Sequence, residues 1–432
     1  MKKYVEIEPV ARVEGHGEIF LEFEGDRVKD VNFSITEGPR FFEVLVRGKY
    51  FRHVPSIVTR ICAICTVSHK LASIKAIEQA FDVKVTEQTE LLRELIHMGS
   101  IIESHYLHAY FLALPDYLGM PNAIALYKDH PDEVNRALRL KGIGNDIQEL
   151  IGGRPIHPEK PIIGGFTQMP SRRKLVELRD KLRNNVLDTV EAYRLFASLS
   201  YPTEMELTAP YSTLVSSGSD RFTLMGDTIA LDDSRFSLAD YRKVIKEEII
   251  PWSTAKVSKT SQGDAVMVGS LSRLNIMKEF DHPHVLEARD EFFPFPSNNI
   301  LHNNLGQAFE GIYAWERAIE LIDRLLYLGM KDERPVKVEP RESHGIGSLE
   351  VPRGTLYHEY WIDREGMITD ANIITPTAIN NLIIDQDMKK VGKLLSDQGL
   401  AKEELRRKME LIARAYDPCI SCATHMVQIV ER

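Results

Sequence analysis

Four cysteines, arranged as two Cys-x-x-Cys pairs, are the residues of this sequence with the clearest potential for chemistry. The first pair is Cys62 and Cys65, and the second, more than three hundred residues later, is Cys419 and Cys422. Thiolates are soft ligands, so four of them together favour zinc, an iron–sulfur cluster, copper(I) or nickel over calcium or magnesium. Each spacing puts two sulfurs within reach of one ion, and the second pair completes a four-sulfur site.

The cysteine spacing alone leaves other uses of the thiols open. A structural zinc site is usually built from nearby pairs about 15–20 residues apart, and a redox dithiol normally stands alone beside a βαβ pattern. A site whose halves come from opposite ends of the chain needs the folded core to align them. Such an arrangement is more often met at catalytic centres, so the long separation counts against zinc without excluding it.

Composition and charge are those of an ordinary globular protein. The 432 residues are 43% hydrophobic and 27% charged, with a net charge of −9. A negative balance does not favour nucleic acid or an anionic membrane as partner. The N-terminus lacks the apolar core of a signal peptide, and no apolar run is long enough to span a membrane. With few cysteines and no export signal, we expect a cytoplasmic protein.

Hydrophobic periodicity predicts a helix-rich α+β protein that forms a single domain over residues 1–432. We expect a β-rich N-terminal part at 1–60 and a mainly helical part at 61–335. A C-terminal part at 336–432 would contain a hairpin and the second metal-ligand segment.

Two hairpins and six helical stretches can be placed along the chain. Alternating residues around Gly25-Asp26 predict a hairpin within 16–36, and a second is expected at 355–374, turning at 363–366. Ser171 is the predicted N-cap of the helical stretch 172–198. Helical patterns occupy 70–81, 86–114, 131–151, 172–198, 304–329 and 387–415.

Several short segments pair a charged residue with small or rigid neighbours. They read Ala-Arg-Val-Glu-Gly-His at 11–16, Gly-Ser-Leu-Glu-Val-Pro-Arg-Gly at 347–354 and Ile-Thr-Pro-Thr at 374–377. Arg60 and Asp417 stand just before the two cysteine pairs. One such charge is usually a solvated surface group, and one Gly or Pro is usually part of a turn. Their recurrence beside the cysteines makes coincidence hard to defend.

Taken in order, these motifs resemble the signature set of the nickel–iron hydrogenase large subunit. The set comprises Arg-Val-Glu-Gly-His, Arg-Ile-Cys-x-Ile-Cys-Thr-x-x-His, Glu-x-Pro-Arg-Gly and Asp-Pro-Cys-x-x-Cys-x-x-His, and spans Arg12 to His425. The resemblance implies that family's helix-rich fold, with small β-rich N-terminal and C-terminal parts. It also implies the family's reaction, the reversible heterolytic cleavage of dihydrogen.

By matching positions, the resemblance implies a bimetallic centre of nickel and iron. Cys62 and Cys419 would be terminal nickel ligands, and Cys65 and Cys422 would bridge the two metals. The iron of this family also carries carbon monoxide and two cyanides. Four thiolates supply electron density to nickel, and the strong-field diatomic ligands keep iron low-spin.

The resemblance further implies a proton path and a cationic residue above the metals. The first proton acceptor would be the Cys419 thiolate or Arg353, and Glu14 would be the next relay from Cys419. A positioned carboxyl near the centre can take and release a proton, which suits a relay. The fork of donors on Arg353 would hydrogen-bond one cyanide.

Four more residues match positions that support the centre in this family. Thr377 would donate its hydroxyl to the other cyanide. Asp417 and Asp116 would be the acidic partners that hold Arg353. His69 would donate to a bridging sulfur, although a packed core histidine is the plainer interpretation of that residue.

The family also contains a buried hard cation, usually magnesium, near the C-terminus. Glu43 and His425 match its protein ligands, and a main-chain carbonyl near Ile373 would be the third. Carboxylate, carbonyl and water oxygens suit magnesium, although histidine is a less usual ligand.

Two features depart from the family pattern. Ala63 stands where the family usually has glycine, and we expect little effect because alanine is also small. The residues Met426–Arg432 continue past His425, where the family's chain is normally cut once nickel is inserted. A retained tail would put in doubt whether the site is closed and loaded.

The cysteine count predicts a partner. If all four cysteines bind the catalytic centre, none is left for an iron–sulfur relay, so electrons must leave through an iron–sulfur small subunit. The motifs look most like cytoplasmic multi-subunit hydrogenases linked to NAD(P), some of which also reduce sulfur, so diaphorase or electron-transfer subunits are expected too. The substrates would be H2 and protons.

Three rival interpretations belong to other classes. The quinone-pocket subunit of respiratory complex I is homologous but has lost the cysteine pairs. A membrane-associated energy-converting hydrogenase would be revealed by membrane-subunit partners. A hydrogen sensor or structural zinc protein would differ in turnover or in metal content.

Overall fold

The computed structural model describes residues 3–7, 10–38, 41–250 and 253–424, with the backbone alone for 3–7. Its strands within these ranges are β1 Lys3–Ile7, β2 Gly17–Glu24, β3 Arg27–Ile35, β4 Pro161–Ile162, β5 Gly165–Phe166, β6 Ser212–Val215, β7 Thr228–Leu231, β8 Ser234–Ser237, β9 Lys246–Glu248, β10 Val257–Lys259, β11 Ser343–Val351, β12 Gly354–Ile362 and β13 Ile368–Ile374. The strands form small antiparallel sheets, three of which have three strands.

Helices make up most of the remaining regular structure. They are α1 Phe42–Val46, α2 Val54–Val58, α3 Thr66–Phe81, α4 Glu87–Leu107, α5 Leu114–Tyr117, α6 Ala123–Asp129, α7 Pro131–Gly152, α8 Arg172–Asn184, α9 Val186–Ala197, α10 Tyr241–Val244, α11 Ser270–Ile276, α12 Pro283–Glu291, α13 His302–Leu328, α14 Pro376–Asp397, α15 Lys402–Ala415 and α16 Ile420–Ala423. The expected helix-rich α+β architecture is confirmed. In the part of the chain that the structure describes, no helix is both long and apolar enough to cross a membrane.

Both predicted hairpins are present. β2 and β3 pair in antiparallel register around Gly25, and β1 adds a third strand that the sequence did not predict. β12 and β13 form the C-terminal hairpin, whose turn is closed by Asp363: its side chain accepts the N–H groups of Glu365 and Met367 at 3.0 and 2.8 Å. β11 also lies in this sheet, although its two glycines concealed a strand pattern.

The helical core is organised around α4, which packs against α7 and α13. The apolar stripe of α4 is buried at Leu95, Met98 and Ile102. Beyond Leu107 the chain continues as one π-helical turn over His108–Ala113 before α5. Turns of this kind recur at functional sites.

Two predicted helices are each divided in two. The stretch 172–198 breaks between α8 and α9, where the Asn185 side chain donates to the Lys181 carbonyl at 2.8 Å. The stretch 387–415 breaks between α14 and α15, and α14 begins earlier, at Pro376. Gly399 at φ +81° ends α14 in the left-handed conformation, where glycine is the least strained residue.

Candidate metal centre

The four cysteine sulfurs converge on one buried point. All four Sγ atoms lie within 4.8 Å of one another. Cys419 Sγ lies 3.4 Å from Cys62 Sγ and 3.8 Å from Cys65 Sγ. Cys65 stands just before α3, and Cys419 just before the short helix α16 that contains Cys422. The two ends of the chain thus supply one site, as the sequence predicted.

The N-terminal motif at 11–16 is hydrogen-bonded to the segment that contains the second cysteine pair. The N–H of Ile420 donates to the carbonyl oxygen of Glu14 at 2.9 Å. The Glu14 carboxylate accepts the N–H of Ser421 at 3.0 Å and also the Ser421 hydroxyl. Gly15 has φ +88°, and a Cβ there would lie 2.7 Å from the Ile420 Cβ. Glycine is therefore required for this close approach.

Burial and mutual contact shift the pKa values of the thiols in opposite directions. The pKa of Cys62 is well below its ordinary value because the thiols of Cys419, Cys422 and Cys65 stabilise its thiolate. Burial raises the pKa of Cys419 and Cys422 well above the ordinary value. Four thiols so close together would repel one another as thiolates, so a cation between them is the natural counter-charge.

Arg353 places a fixed positive charge beside the sulfurs. Its Nη1 donates to Cys65 Sγ at 3.2 Å. Its Nε donates to both the carbonyl oxygen and Oδ1 of Asp417, at 2.8 and 3.0 Å. Burial alone would lower the pKa of Arg353, but Asp417 and the thiolates raise it well above its ordinary value. The guanidinium is therefore permanently charged.

Asp417 is itself held by two residues that the sequence analysis missed. Its Oδ2 accepts a hydrogen bond from Nε2 of Gln307 at 2.9 Å, and Nδ1 of His108 lies 2.6 Å from Oε1 of the same glutamine. Nε2 of His108 lies 2.8 Å from the carbonyl oxygen of Arg414. In the sequence, His108 and Gln307 are polar residues within apolar helical stretches. That pattern does not show which residue either of them would contact. Asp417 also has φ +50°, an uncommon conformation for aspartate.

The expectation that Asp116 holds Arg353 is wrong. Asp116 pairs instead with Arg414, whose Nε and Nη2 donate to its two oxygens at 2.6 and 3.0 Å, and with Arg12. Arg414 also donates to the carbonyl of Ala11 at 2.9 Å. Asp116 thus joins the N-terminal motif to the end of α15. Sequence spacing could not distinguish one buried arginine from another.

His69 and Thr377 both lie beside the centre. Nδ1 of His69 lies 3.0 Å from Nε2 of His358, and burial lowers the pKa of His69 to about 4, opposed by the nearby Cys62 thiolate. The hydroxyl oxygen of Thr377 accepts the N–H of Cys419 at 2.8 Å. A hydroxyl that accepts one bond can still donate its own hydrogen. The predicted donor roles of both residues stay predictions.

A second polar cluster surrounds Glu43. Its Oε1 accepts the N–H of Ile373 at 2.9 Å, and Lys256 Nζ lies 3.7 Å away. Burial raises the pKa of Glu43 and of Glu247, and the shared neighbour Lys256 opposes both shifts. A 180° rotation of the Asn372 side-chain amide would let its nitrogen donate to Glu247 Oε2 at 3.2 Å and to Glu43 Oε1 at 3.3 Å. No sequence motif predicted Glu247, Lys256 or Asn372 at this site.

The predicted ligand His425 lies outside the described residues, and so does the segment Met426–Arg432. At Ile373 the structure brings the N–H, not the carbonyl, to Glu43. A carbonyl ligand at this position stays a prediction.

The donor set fits a soft metal. Four sulfurs around one zinc would stand about 3.8 Å apart, given a Zn–S bond of about 2.3 Å, so the spacing by itself also suits zinc. A structural zinc site, however, needs no buried arginine on one of its sulfurs. The Arg353 guanidinium on Cys65 and the Asp417 carboxylate beside it favour a catalytic metal centre.

Comparisons with known proteins identify the family. The profile described as "Nickel-dependent hydrogenase" matches residues 40–141 and 258–425, and the profile "HoxL-like" matches 4–37. The Sulfhydrogenase 2 subunit alpha of Pyrococcus furiosus is 36% identical, covering 98% of this chain and 100% of that protein. The NAD-reducing hydrogenase HoxS subunit beta of Cupriavidus necator is 30% identical, over 98% and 95%.

Solved structures agree with the sequence relatives. An NAD+-reducing [NiFe]-hydrogenase in the H2-reduced state has a TM-score of 0.89 and 26% identity, over 98% of this chain and 99% of that chain. A Ni-Fe-Se hydrogenase from D. vulgaris Hildenborough has a TM-score of 0.78 at 22% identity and shows the same fold. The chain belongs to the nickel-dependent hydrogenase family. It is the catalytic large subunit of a nickel–iron hydrogenase, an oxidoreductase acting on H2.

Proposed function

We propose that Cys62 and Cys419 bind nickel alone, while Cys65 and Cys422 bridge nickel to an iron that carries carbon monoxide and two cyanides. The convergence of four buried sulfurs, with the Arg353 guanidinium 3.2 Å from Cys65 Sγ, carries this proposal. When bound, this group supplies the heterolytic cleavage of dihydrogen. The residues around it orient it, neutralise its charge and move the proton.

Arg353 provides charge and orientation. Its ion pair with Asp417, at 2.9 Å between Nη2 and Oδ1, leaves Nη1 directed at the sulfurs. A guanidinium in a buried site is a strong donor for an anionic ligand such as cyanide. The Thr377 hydroxyl, whose oxygen accepts the Cys419 N–H, donates its hydrogen to the other cyanide.

Glu14 receives the proton from the Cys419 thiol. The two residues are neighbours across a parallel backbone bridge, and Ser421 fixes the carboxylate. Because Glu14 is half-buried and its backbone pairs with that of Cys419, it would carry the proton from the buried sulfur towards the surface of this chain. A positioned carboxyl can take and release a proton, which is general acid–base catalysis.

Glu43 and His425 hold a magnesium ion. Glu43 is fully buried, and Glu247 brings a second carboxylate to the same cluster. Buried carboxylates and amide oxygens suit a hard cation. Magnesium analysis of Glu43→Gln, with the exposed Glu248→Gln as control, tests this site. Unchanged magnesium in Glu43→Gln would refute it.

Electrons leave through an iron–sulfur small subunit and then reach further electron-transfer subunits linked to NAD(P). All four cysteines of the sequence lie at the centre. The names of the relatives include sulfhydrogenase and NAD-reducing hydrogenase. Purification of the native complex, followed by hydrogen-dependent reduction of NAD+, NADP+ and polysulfide, separates these carriers. Copurifying membrane subunits would favour an energy-converting hydrogenase instead.

An infrared spectrum of the native complex tests the centre directly, because proteins have almost no other bands where metal-bound carbon monoxide and cyanide absorb. One carbonyl and two cyanide bands from a complex that contains nickel would support the proposal. A fully assembled complex that contained zinc and lacked these bands would refute it.

A further inference from the structure

Arg353 stands at the tip of a tight buried turn. Val351 and Gly354 pair across β11 and β12, so Pro352 and Arg353 are the two residues of the connecting loop. In most hairpins the carbonyls of such a loop face water. Here Val351, Arg353 and Gly354 are buried, so these carbonyls need donors from the protein itself.

A second arginine supplies those donors. Nη1 of Arg273 donates to the carbonyl of Val351 at 3.1 Å, and Nη2 donates to the carbonyl of Pro352 at 3.3 Å. Nε2 of His97 donates to the carbonyl of Glu350 at 2.8 Å. Three successive carbonyls before Arg353 therefore each accept a hydrogen bond from a buried side chain.

Arg273 is rigidly held. Its Nε and Nη2 donate to the two carboxylate oxygens of Glu310 at 2.6 and 2.7 Å, and its Nη1 donates to Glu350 at 2.8 Å. His105 Nε2 lies 2.8 Å from the same Glu310 carboxylate. Arg273, Glu310 and Glu350 have no exposed surface. Such a network has one geometry, because every alternative leaves a buried charge unpaired.

We infer that Arg273 is a positioning residue that fixes the Pro352-Arg353 turn, so that the Arg353 guanidinium reaches Asp417 and Cys65. The inference rests on the proposed role of Arg353. The same guanidinium joins α11, which contains Arg273, and α13, which contains Glu310, to the β11–β12 turn. A change at Arg273 therefore alters the metal centre without touching any metal ligand.

Hydrogen exchange of the complex, measured by mass spectrometry, tests the inference with Arg273→Lys and Arg273→Met. The matched control is Arg93, which is also buried, pairs with both oxygens of Glu78 at 2.6 and 2.7 Å, and donates to the carbonyl of Ile162 at 3.1 Å. Lysine cannot reach all the acceptors of Arg273, and methionine reaches none. Each loss leaves buried carbonyls without a donor.

We expect peptides that cover 350–357 to exchange about tenfold faster or more in Arg273→Met, and by a smaller factor in Arg273→Lys, since one orphaned buried acceptor has about this effect. Arg93→Lys and Arg93→Met should leave these peptides unchanged. In the loaded complex, the cyanide bands should shift in Arg273→Lys and not in Arg93→Lys.

Unchanged exchange over 350–357 in a folded Arg273 variant would overturn the inference. Equal acceleration in the Arg93 variants would also overturn it, because the effect would then be general destabilisation. If Arg273→Met does not fold, the Arg273→Lys comparison decides in the same way. Faster exchange with an unaltered rate of turnover per nickel would support the positioning role while refuting the proposed role of Arg353.

Discussion

At the scale of single residues, the sulfurs and the groups that touch them decide the chemistry. Four thiols lie together, Asp417 holds the Arg353 guanidinium beside them, and Ser421 holds the Glu14 carboxylate at the second cysteine pair. Removal of one ligand and removal of the proton acceptor should therefore produce different defects. The first should prevent assembly of the centre, and the second should spare assembly and slow proton movement.

Cys419→Ser should abolish hydrogen activation. Loss of a residue that merely supports a metal ligand costs about 10–100-fold in affinity or activity, so loss of the thiolate itself should exceed about 100-fold. Turnover and nickel content of the purified complex measure the effect. The neighbouring Ala423→Ser keeps all four sulfurs and is the control. Near-normal turnover in Cys419→Ser would refute the ligand assignment.

Glu14→Gln should leave nickel and iron bound but slow the enzyme-catalysed exchange of hydrogen isotopes between dihydrogen and water. The rate of this exchange should fall by about 100-fold or more, because general acid–base groups contribute about this much. The glutamine can still accept the Ser421 N–H, so the backbone bridge to Cys419–Ile420 should persist. Glu18→Gln, on β2, is the control. An unchanged exchange rate would remove Glu14 from the proton path.

At the scale of secondary-structure elements, close contacts between segments position these residues. The N-terminal segment before β2 lies directly against α16, and the turn between β11 and β12 lies against α11. The first contact leaves no room for a side chain at Gly15, and the second depends on the reach of the Arg273 side chain. Assembly of the centre should therefore be sensitive to changes that remove no functional group.

Gly15→Ala should reduce nickel content and stability. The substitution combines a left-handed residue, at about 1–2 kcal/mol, with overpacking against Ile420, at about 1–3 kcal/mol. Gly25→Ala is the matched control, since Gly25 also has positive φ but a Cβ there would meet no neighbour. Thermal unfolding and nickel analysis compare the two. Equal losses in both variants would contradict the contact with α16.

Asp387 on α14 should make stability depend on pH. Burial raises its pKa to about 6 from 3.8, and the Tyr416 hydroxyl donates to it. Because the folded pKa is raised, the protonated form is favoured on folding. The contribution of Asp387 to the free energy of unfolding is then fully present below about pH 4, and it falls by up to about 3 kcal/mol as pH rises to about 6.

Asp387→Asn should remove this pH-dependent loss while keeping an acceptor for Tyr416. The difference in thermal unfolding between the variant and the unchanged protein should grow between about pH 4 and 6. Asp397→Asn, at an exposed position of the same helix, should show no such trend. A constant difference across this range would contradict the raised pKa.

At the scale of the whole molecule, the centre joins the two ends of the chain across the helical core. A metal that binds only the folded state stabilises it. In the nickel-free chain, hydrogen exchange should accelerate at 10–17 and 417–424 by about tenfold or more, since metal binding there supplies several kcal/mol. Peptides of α4 and α13 should not change. Uniform acceleration would instead indicate that the metal stabilises the entire domain.

The sequence alone predicted the metal centre, the family and much of the secondary structure of this protein. Cysteine is a soft donor by its residue type, so the metal centre could be predicted from the four cysteines. The family was indicated by their order and by the motifs around them. Hairpins at Gly25 and Asp363 are encoded locally, and so is the stripe of α4. The prediction of secondary structure failed mainly where glycines concealed a strand pattern, as at β11, or where a helix end was missed, as at Gly399.

Only the tertiary structure decided which charges meet. Asp417 pairs with Arg353 as expected, whereas Asp116, the second expected partner of Arg353, pairs with Arg414. Contacts such as that of Arg273 with the Pro352 carbonyl join residues 79 positions apart. No local pattern records such a contact, because a buried charge takes the partner that packing brings within hydrogen-bond distance.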